Sequence, residues 1–191
     1  MDKTISTETK DNVTSIVVDT DKVSIMNLLR RAILSEIETW AIDIVIFDVN
    51  TSPRYDEVIA LRLGQLAIDH TKFNPDGDEF RAHVNFKGPG EFTSDHIEGI
   101  PFAYKTPIAI LRKDQSIVCE VIVKKGTSKT HVKWRPVSTV TIAKVENGYR
   151  LAFKSVGMMP GDQILKEAIS KIETAAGREP HNLFFGLLPD I

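Results

Sequence analysis

Two aspartate–histidine pairs, Asp69-His70 and Asp95-His96, stand out among the residues of this sequence that could do chemistry. A carboxylate that orients an imidazole makes a general base, and a base beside a serine or cysteine makes a nucleophile. The spacing argues against it here. Adjacent side chains diverge, and no recognisable motif sets a serine, cysteine or third group beside either pair. Both pairs are expected as loop residues in solvent, and a hydrolase built on one of them is the weakest reading. His83, His96 and His131 have no spacing of a known metal-ligand set. Cys119 is the only cysteine, which excludes an intrachain disulfide and a thiolate cluster for zinc or iron–sulfur. "GPGE" at 88–91 is a turn, because a phosphate cradle needs more glycines and a lysine ahead of a helix. No catalytic residue, metal or cofactor is expected.

Two cationic features remain. "KKGTSKTHVKWRP" (124–136) sets Lys124, Lys125, Lys129, Lys133 and Arg135 beside Trp134. Phosphate contacts plus stacking on the indole would bind nucleic acid; a solvated loop, or a surface for an acidic protein patch, fits the same residues. The second feature is Arg30-Arg31, set inside "NLLRRAILSEI". Met26, Leu29, Ile33 and Ile37 make one apolar stripe, and Ile25, Leu28, Ala32 and Leu34 spread it around the helix. A helix resting on one core needs a single stripe. This one is expected to be covered on two sides, by its own domain and by something else, with the arginines at the edge of the second contact.

The whole chain narrows the choice. At 191 residues with a formal net charge of −2, it can bury a core and gives no global electrostatic reason to expect DNA or RNA as the main ligand. The polar start "MDKTISTETKDN" has no apolar leader core, and no run of about eighteen apolar residues occurs. A soluble protein of a reducing, intracellular compartment is expected, with no membrane contact.

The elements that position these residues read as α+β. "VTSIVVDT" (13–20) is a strand, and Thr20 to Lys22 supply caps for the helix from Val23 to about Glu38. "WAIDIVIFDVNTS" is a second strand closed by turn residues. "YDEVIALRLGQLAI" is a short helix stopped at Gly64. Residues 69–99, rich in Gly, Pro, Asp and Asn, are expected to be the loosest part, with one strand in "FRAHVNF". Two hairpins follow, one around "RKDQS" and one around Asn147-Gly148. In "GDQILKEAISKIETAAG", Ile164, Leu165, Ala168, Ile169 and Ile172 form one stripe, with Gly177 as the stop. The tail "REPHNLFFGLLPDI" holds Leu183, Phe184, Phe185, Leu187, Leu188 and Ile191 in too few residues for a core, so it is expected to lean on something.

Four stretches in order resemble one family, the alpha-like subunits of multisubunit DNA-directed RNA polymerases, which takes in the archaeal alpha-like chain, the eukaryotic third-largest subunit and the bacterial alpha N-terminal domain. They are Asn27, Leu29, Arg30 and Arg31; then Asn50, Thr51 and Ser52; then Asp56, Glu57, Ala60, Arg62, Leu63 and Gly64; and later His131, Lys133, Trp134 and Pro136. The resemblance covers most of residues 13–176.

It implies an α+β dimerisation domain, two helices on a small antiparallel sheet, formed by 1–52 and 137–191 and interrupted by an inserted β-rich domain at 53–136. It implies a non-catalytic assembly subunit that pairs with a smaller alpha-like subunit through Met26, Leu29, Ile33, Ile164, Leu165, Ala168, Ile169 and Ile172. Arg30, Arg31, Arg62, Lys129 and Lys133 would dock the second-largest subunit, other small subunits would lie nearby, and no nucleic acid would be bound specifically. Location would follow lineage: cytoplasm, nucleus or, for a viral polymerase, the virion. Two departures bear on this. Cysteines that hold zinc or iron–sulfur in some relatives are missing here, and the short chain with its unmatched tail suggests an unusual lineage such as a virus. The alternative reading is a dimeric protein-binding module of the same fold outside a polymerase.

Overall fold

Hairpin chemistry starts the first of two compact units. In the computed structural model, which describes residues 3–176 with side chains from Ser6 onward, strand β1 (Lys3–Lys10) returns as β2 (Val13–Asp19) through Asp11 and Asn12. Both residues hold left-handed φ angles, +51° and +63°, as a type I′ turn requires. The polar N-terminal stretch is thus a strand, which its composition does not announce. Strands β8 (Val137–Val145) and β9 (Gly148–Ser155) complete a four-stranded antiparallel sheet in the order β1-β2-β9-β8. Their turn is Glu146-Asn147, one residue ahead of the expected pair, and Gly148 pairs with Val145 at φ +108°. A side chain there would run into the carbonyl of Val18 on β2.

Alternation makes one face of this sheet apolar. Ile16 and Val18 on β2, and Leu151 and Phe153 on β9, are buried. On that face pack helices α1 (Val23–Ser35) and α3 (Gly161–Ala175), which also touch each other. The Thr20 hydroxyl accepts the Lys22 N–H at 3.1 Å just ahead of α1. At its far end the Ser35 hydroxyl donates to the Arg31 carbonyl at 2.8 Å. Each fully buried Leu or Ile in this layer contributes about 1.5–3 kcal/mol.

The second unit runs from Thr39 to Gly126. Strand β3 (Glu38–Asn50) is hydrogen-bonded to β7 (Ser116–Thr127), and β7 to β4 (Glu79–Lys87); β5 (Gly90–Thr93) and β6 (Pro107–Leu111) form a separate pair. Helix α2 (Asp56–Gly64) and these strands enclose a core holding Trp40, Ile59, Leu63, Phe92, Ile108 and Val121. Segment 69–99 is better anchored than its composition suggests. Phe73, Phe92 and Ile97 are buried, and Phe73 stands edge-on to Trp40 (5.5 Å) and Phe80 (5.3 Å). Single aromatics in a polar stretch leave no periodicity to read.

The units are bounded differently from the domains expected from the sequence. The first comprises residues up to Glu38 together with those from Thr127 on. The expected boundaries at 52/53 and 136/137 place β3 with the terminal segments, whereas its hydrogen-bonding partner β7 and its buried side chains lie in the second unit. Gly177 and the apolar tail lie outside the described residues.

Candidate docking surface

The two aspartate–histidine pairs are structural in both cases. Asp69 accepts the Thr71 N–H (3.0 Å) and hydroxyl (2.6 Å) and pairs with Lys72 at 2.9 Å. The Thr71 hydroxyl leads the causes that hold the Asp69 carboxyl below its ordinary value. His70 instead accepts the backbone N–H of Trp40 at Nε2, 2.8 Å away. Burial, with a smaller contribution from nearby Lys125, pushes its pKa down and outweighs the raising effect of Asp69. Asp95 pairs with Lys105 at 3.4 Å. His96 Nδ1 accepts the Thr93 N–H at 3.1 Å, and its ring stands 4.6 Å from that of Phe86. Asp69 and His70 are half-buried and built into the fold, contrary to the expectation of residues in solvent, whereas Asp95 and His96 are exposed as expected. Neither imidazole is oriented by its neighbouring aspartate, so no general base is assembled.

Metal chemistry finds no ligand set. Among the described residues, no group of three or more His, Cys, Asp or Glu stands close enough to hold an ion. Cys119 is buried in the second core, where desolvation pushes its thiol up to about 11.

The basic segment is largely occupied by contacts within each unit. In the second unit, Lys124 pairs with Glu79 at 3.5 Å, and the ammonium of Lys125 lies 4.9 Å from the Trp40 ring centre. In the first, Lys129 donates to Glu36 at 2.6 Å, and Lys133 lies 4.4 Å over buried Trp134. His131 Nδ1 accepts the Lys133 N–H at 3.1 Å and caps the short turn Val132–Trp134. The His-x-Lys-Trp spacing therefore makes a folded knuckle: cap, cation and indole in one turn. A nucleic-acid surface would need these cations free and aimed outward.

The twin arginines differ from Arg62. Arg31 is exposed and Arg30 half-buried, and among the described residues neither guanidinium has an ion-pair or hydrogen-bond partner. Beside them α1 leaves Val23 (44% exposed) and Leu28 (46%) uncovered. Arg62, also expected to dock and not to serve the fold, is exposed but carries a contact within the second unit. Its Nη1 donates to the Ile108 carbonyl at 2.9 Å, tying α2 to β6. The Asn-Thr-Ser motif is likewise a lock. Asn50 Nδ2 donates to the Arg54 carbonyl (2.9 Å) and the Asp56 carboxylate (2.6 Å), while its Oδ1 accepts the Ser52 N–H (3.0 Å). Thr51 and Ser116 bind each other reciprocally, joining the end of β3 to the start of β7. The Asn-x-Ser spacing is the signal for such a turn.

The eight apolar side chains expected to meet a partner lie in the first unit's own core. Met26, Ile33, Ile164 and Ala168 have no exposed surface, Leu29 and Leu165 have 1%, and Ile169 and Ile172 have 6% and 7%. The stripes of α1 and α3 face each other and the sheet. They set the position of the outward surface, where Val23, Leu28 and Arg31 are exposed.

These features lie on an α+β domain formed by two segments of the chain, with a β-rich unit inserted between those segments in the sequence. The chain belongs to the RNA polymerase Rpb3/Rpb11 dimerisation domain family, whose sequence profile matches residues 16–175. It is similar to DNA-directed RNA polymerase II subunit RPB3 of Schizosaccharomyces pombe, 32% identical over 72% of this chain and 57% of that one. DNA-directed RNA polymerase subunit Rpo3 of Pyrococcus horikoshii is 32% identical over 74% of this chain and 62% of its own. For Rpo3 of Methanocaldococcus jannaschii the identity is 30%, with 81% and 82% covered. The match spans only about three fifths of the first two relatives. Among the described residues no helix is long and apolar enough to cross a membrane.

Proposed function

We propose that the chain is a non-catalytic assembly subunit of a multisubunit DNA-directed RNA polymerase. The observation that carries this is the extent of the family match, which spans both units and the junctions between them. Relatives named as polymerase subunits support the same reading. The chain forms a heterodimer with a smaller alpha-like subunit through α1 and α3, and it docks the second-largest subunit through Arg30 and Arg31. Unpaired guanidiniums beside exposed aliphatics suit this, since arginine offers several donors in a fixed fork to carboxylates and carbonyls. Lys129 and Lys133 contribute by shaping the knuckle, and other small subunits pack nearby. Its compartment is that of the polymerase: cytoplasm, nucleus or, in a viral lineage, the virion.

Purification of the chain through an affinity tag from its native host, followed by native mass spectrometry, tests this. Large catalytic subunits at fixed stoichiometry are expected. A homodimer free of them would establish the alternative, a binding module of the same fold outside a polymerase.

A further inference from the structure

The two edges of the three-stranded sheet are treated differently. On β4 the outward residues include Glu79, Arg81 and His83, with Arg81 bound to Glu79 (2.8 Å) and across to Glu120 on β7 (3.2 Å). Charged side chains of this kind protect a strand edge from pairing with another chain. Strand β3, at the opposite edge, has less of it: from Asp43 on, only Asp43 and Asp48 are exposed charges, set among exposed aliphatics. Val45 and Phe47 pack on the core, so by alternation Ile44, Ile46 and Asp48 face outward. Ile44 is 41% exposed, Ile46 46% and Val49 40%. Asp48 has no cation paired with it among the described residues.

We propose that β3 receives an extended segment of another protein by strand addition. Main-chain hydrogen bonds would hold the segment, and alternate side chains would read the face. Those over Ile44 and Ile46 are aliphatic, and one beside Asp48 is lysine or arginine. A helix would leave the edge amides unmet, and an acidic or neutral segment would cover Asp48 without compensating its charge. The inference rests on the polymerase reading, with the segment supplied by another subunit of the assembly.

The test uses the affinity-purified assembly and the free chain. Hydrogen exchange of the amides of residues 43–49 is followed in both, and a zero-length carbodiimide cross-link is sought from Asp48. Exchange slower by about tenfold or more in the assembly, with a cross-link to a lysine of an extended segment, is expected. Asp48→Lys, a change at an exposed position that leaves the fold intact, lowers recovery of the cross-linked subunit about fivefold or more while the large subunits stay bound. Equal exchange rates in a complete assembly would overturn strand addition and leave the polymerase reading standing. Cross-links to a second copy of this chain, or to a helical segment, would overturn the assigned occupant. Absence of polymerase subunits from the preparation would remove both.

Discussion

The backbone N–H of Trp40 ends on a histidine: it donates to His70 Nε2 at 2.8 Å, thirty residues along the chain. A protonated imidazole cannot accept it. His70's folded-state pKa lies below its ordinary 6.5, so the unfolded chain takes up this proton first. Its stabilising effect is fully present above about pH 6.5 and is lost as pH falls through the folded-state value. Asp69, also depressed, acts in a separate window, below its ordinary 3.8. Urea denaturation of the whole chain between pH 8 and 5 should show stability falling with acid, and His70→Gln, which keeps an acceptor, should flatten that slope. An unchanged slope would refute the assignment.

Gly161 opens α3 with no space for a methyl group, because a side chain there would overlap the Thr14 hydroxyl of β2. Gly161→Ala should cost about 1–3 kcal/mol through overpacking. Thr14→Ala in the same background should recover part of it, and urea midpoints of the single and double variants measure the coupling.

Arginines 30, 31 and 62 should separate by readout. Alanine at Arg30 or Arg31 should leave stability within about 0.5 kcal/mol of wild type and reduce recovery of the large subunits. Arg62→Ala should destabilise the chain by about 1–3 kcal/mol, since the Ile108 carbonyl loses its donor. Thermal melts beside pull-downs distinguish the two classes.

For the knuckle, Lys129→Glu sets two carboxylates where an ion pair of 2.6 Å stood, both partners substantially exposed. The loss should stay below about 1 kcal/mol, and Glu36→Lys in the same chain should restore assembly. Duplex DNA binding should be weak in all these forms, with a shallow salt slope in electrophoretic titration.

The elements legible in the sequence are those with a strong period: α1, α3, and the β8–β9 hairpin; the hairpin expected around "RKDQS" does not form, because β6 pairs with β5 while β7 pairs with β3 and β4. What stays hidden there has local or tertiary causes. Strand β1 carries polar side chains at a sheet edge, so its only signal is the Asp11-Asn12 turn. The structural contact of Arg62 is hidden because nothing in its neighbourhood along the chain foretells the Ile108 carbonyl on β6. Helix stripes announce that a face will be covered and not by what. Leu165→Asp or Ile169→Asp would therefore unfold the first unit before reporting on any partner.

The split of the first unit into two segments has a consequence for how the chain is made. During vectorial synthesis α1 leaves the ribosome with its stripe of Met26, Leu29 and Ile33 exposed, while β9 and α3, which will cover it, are still unmade. At ~5–20 residues per second, the intervening unit takes on the order of ten seconds to emerge. That unit has all its strands once β7 is out, but the first must wait for contacts of still higher sequence separation, the slow kind. The nascent chain thus passes through an interval in which a trigger-type holdase, or the waiting partner protein itself, is the only cover α1 can have.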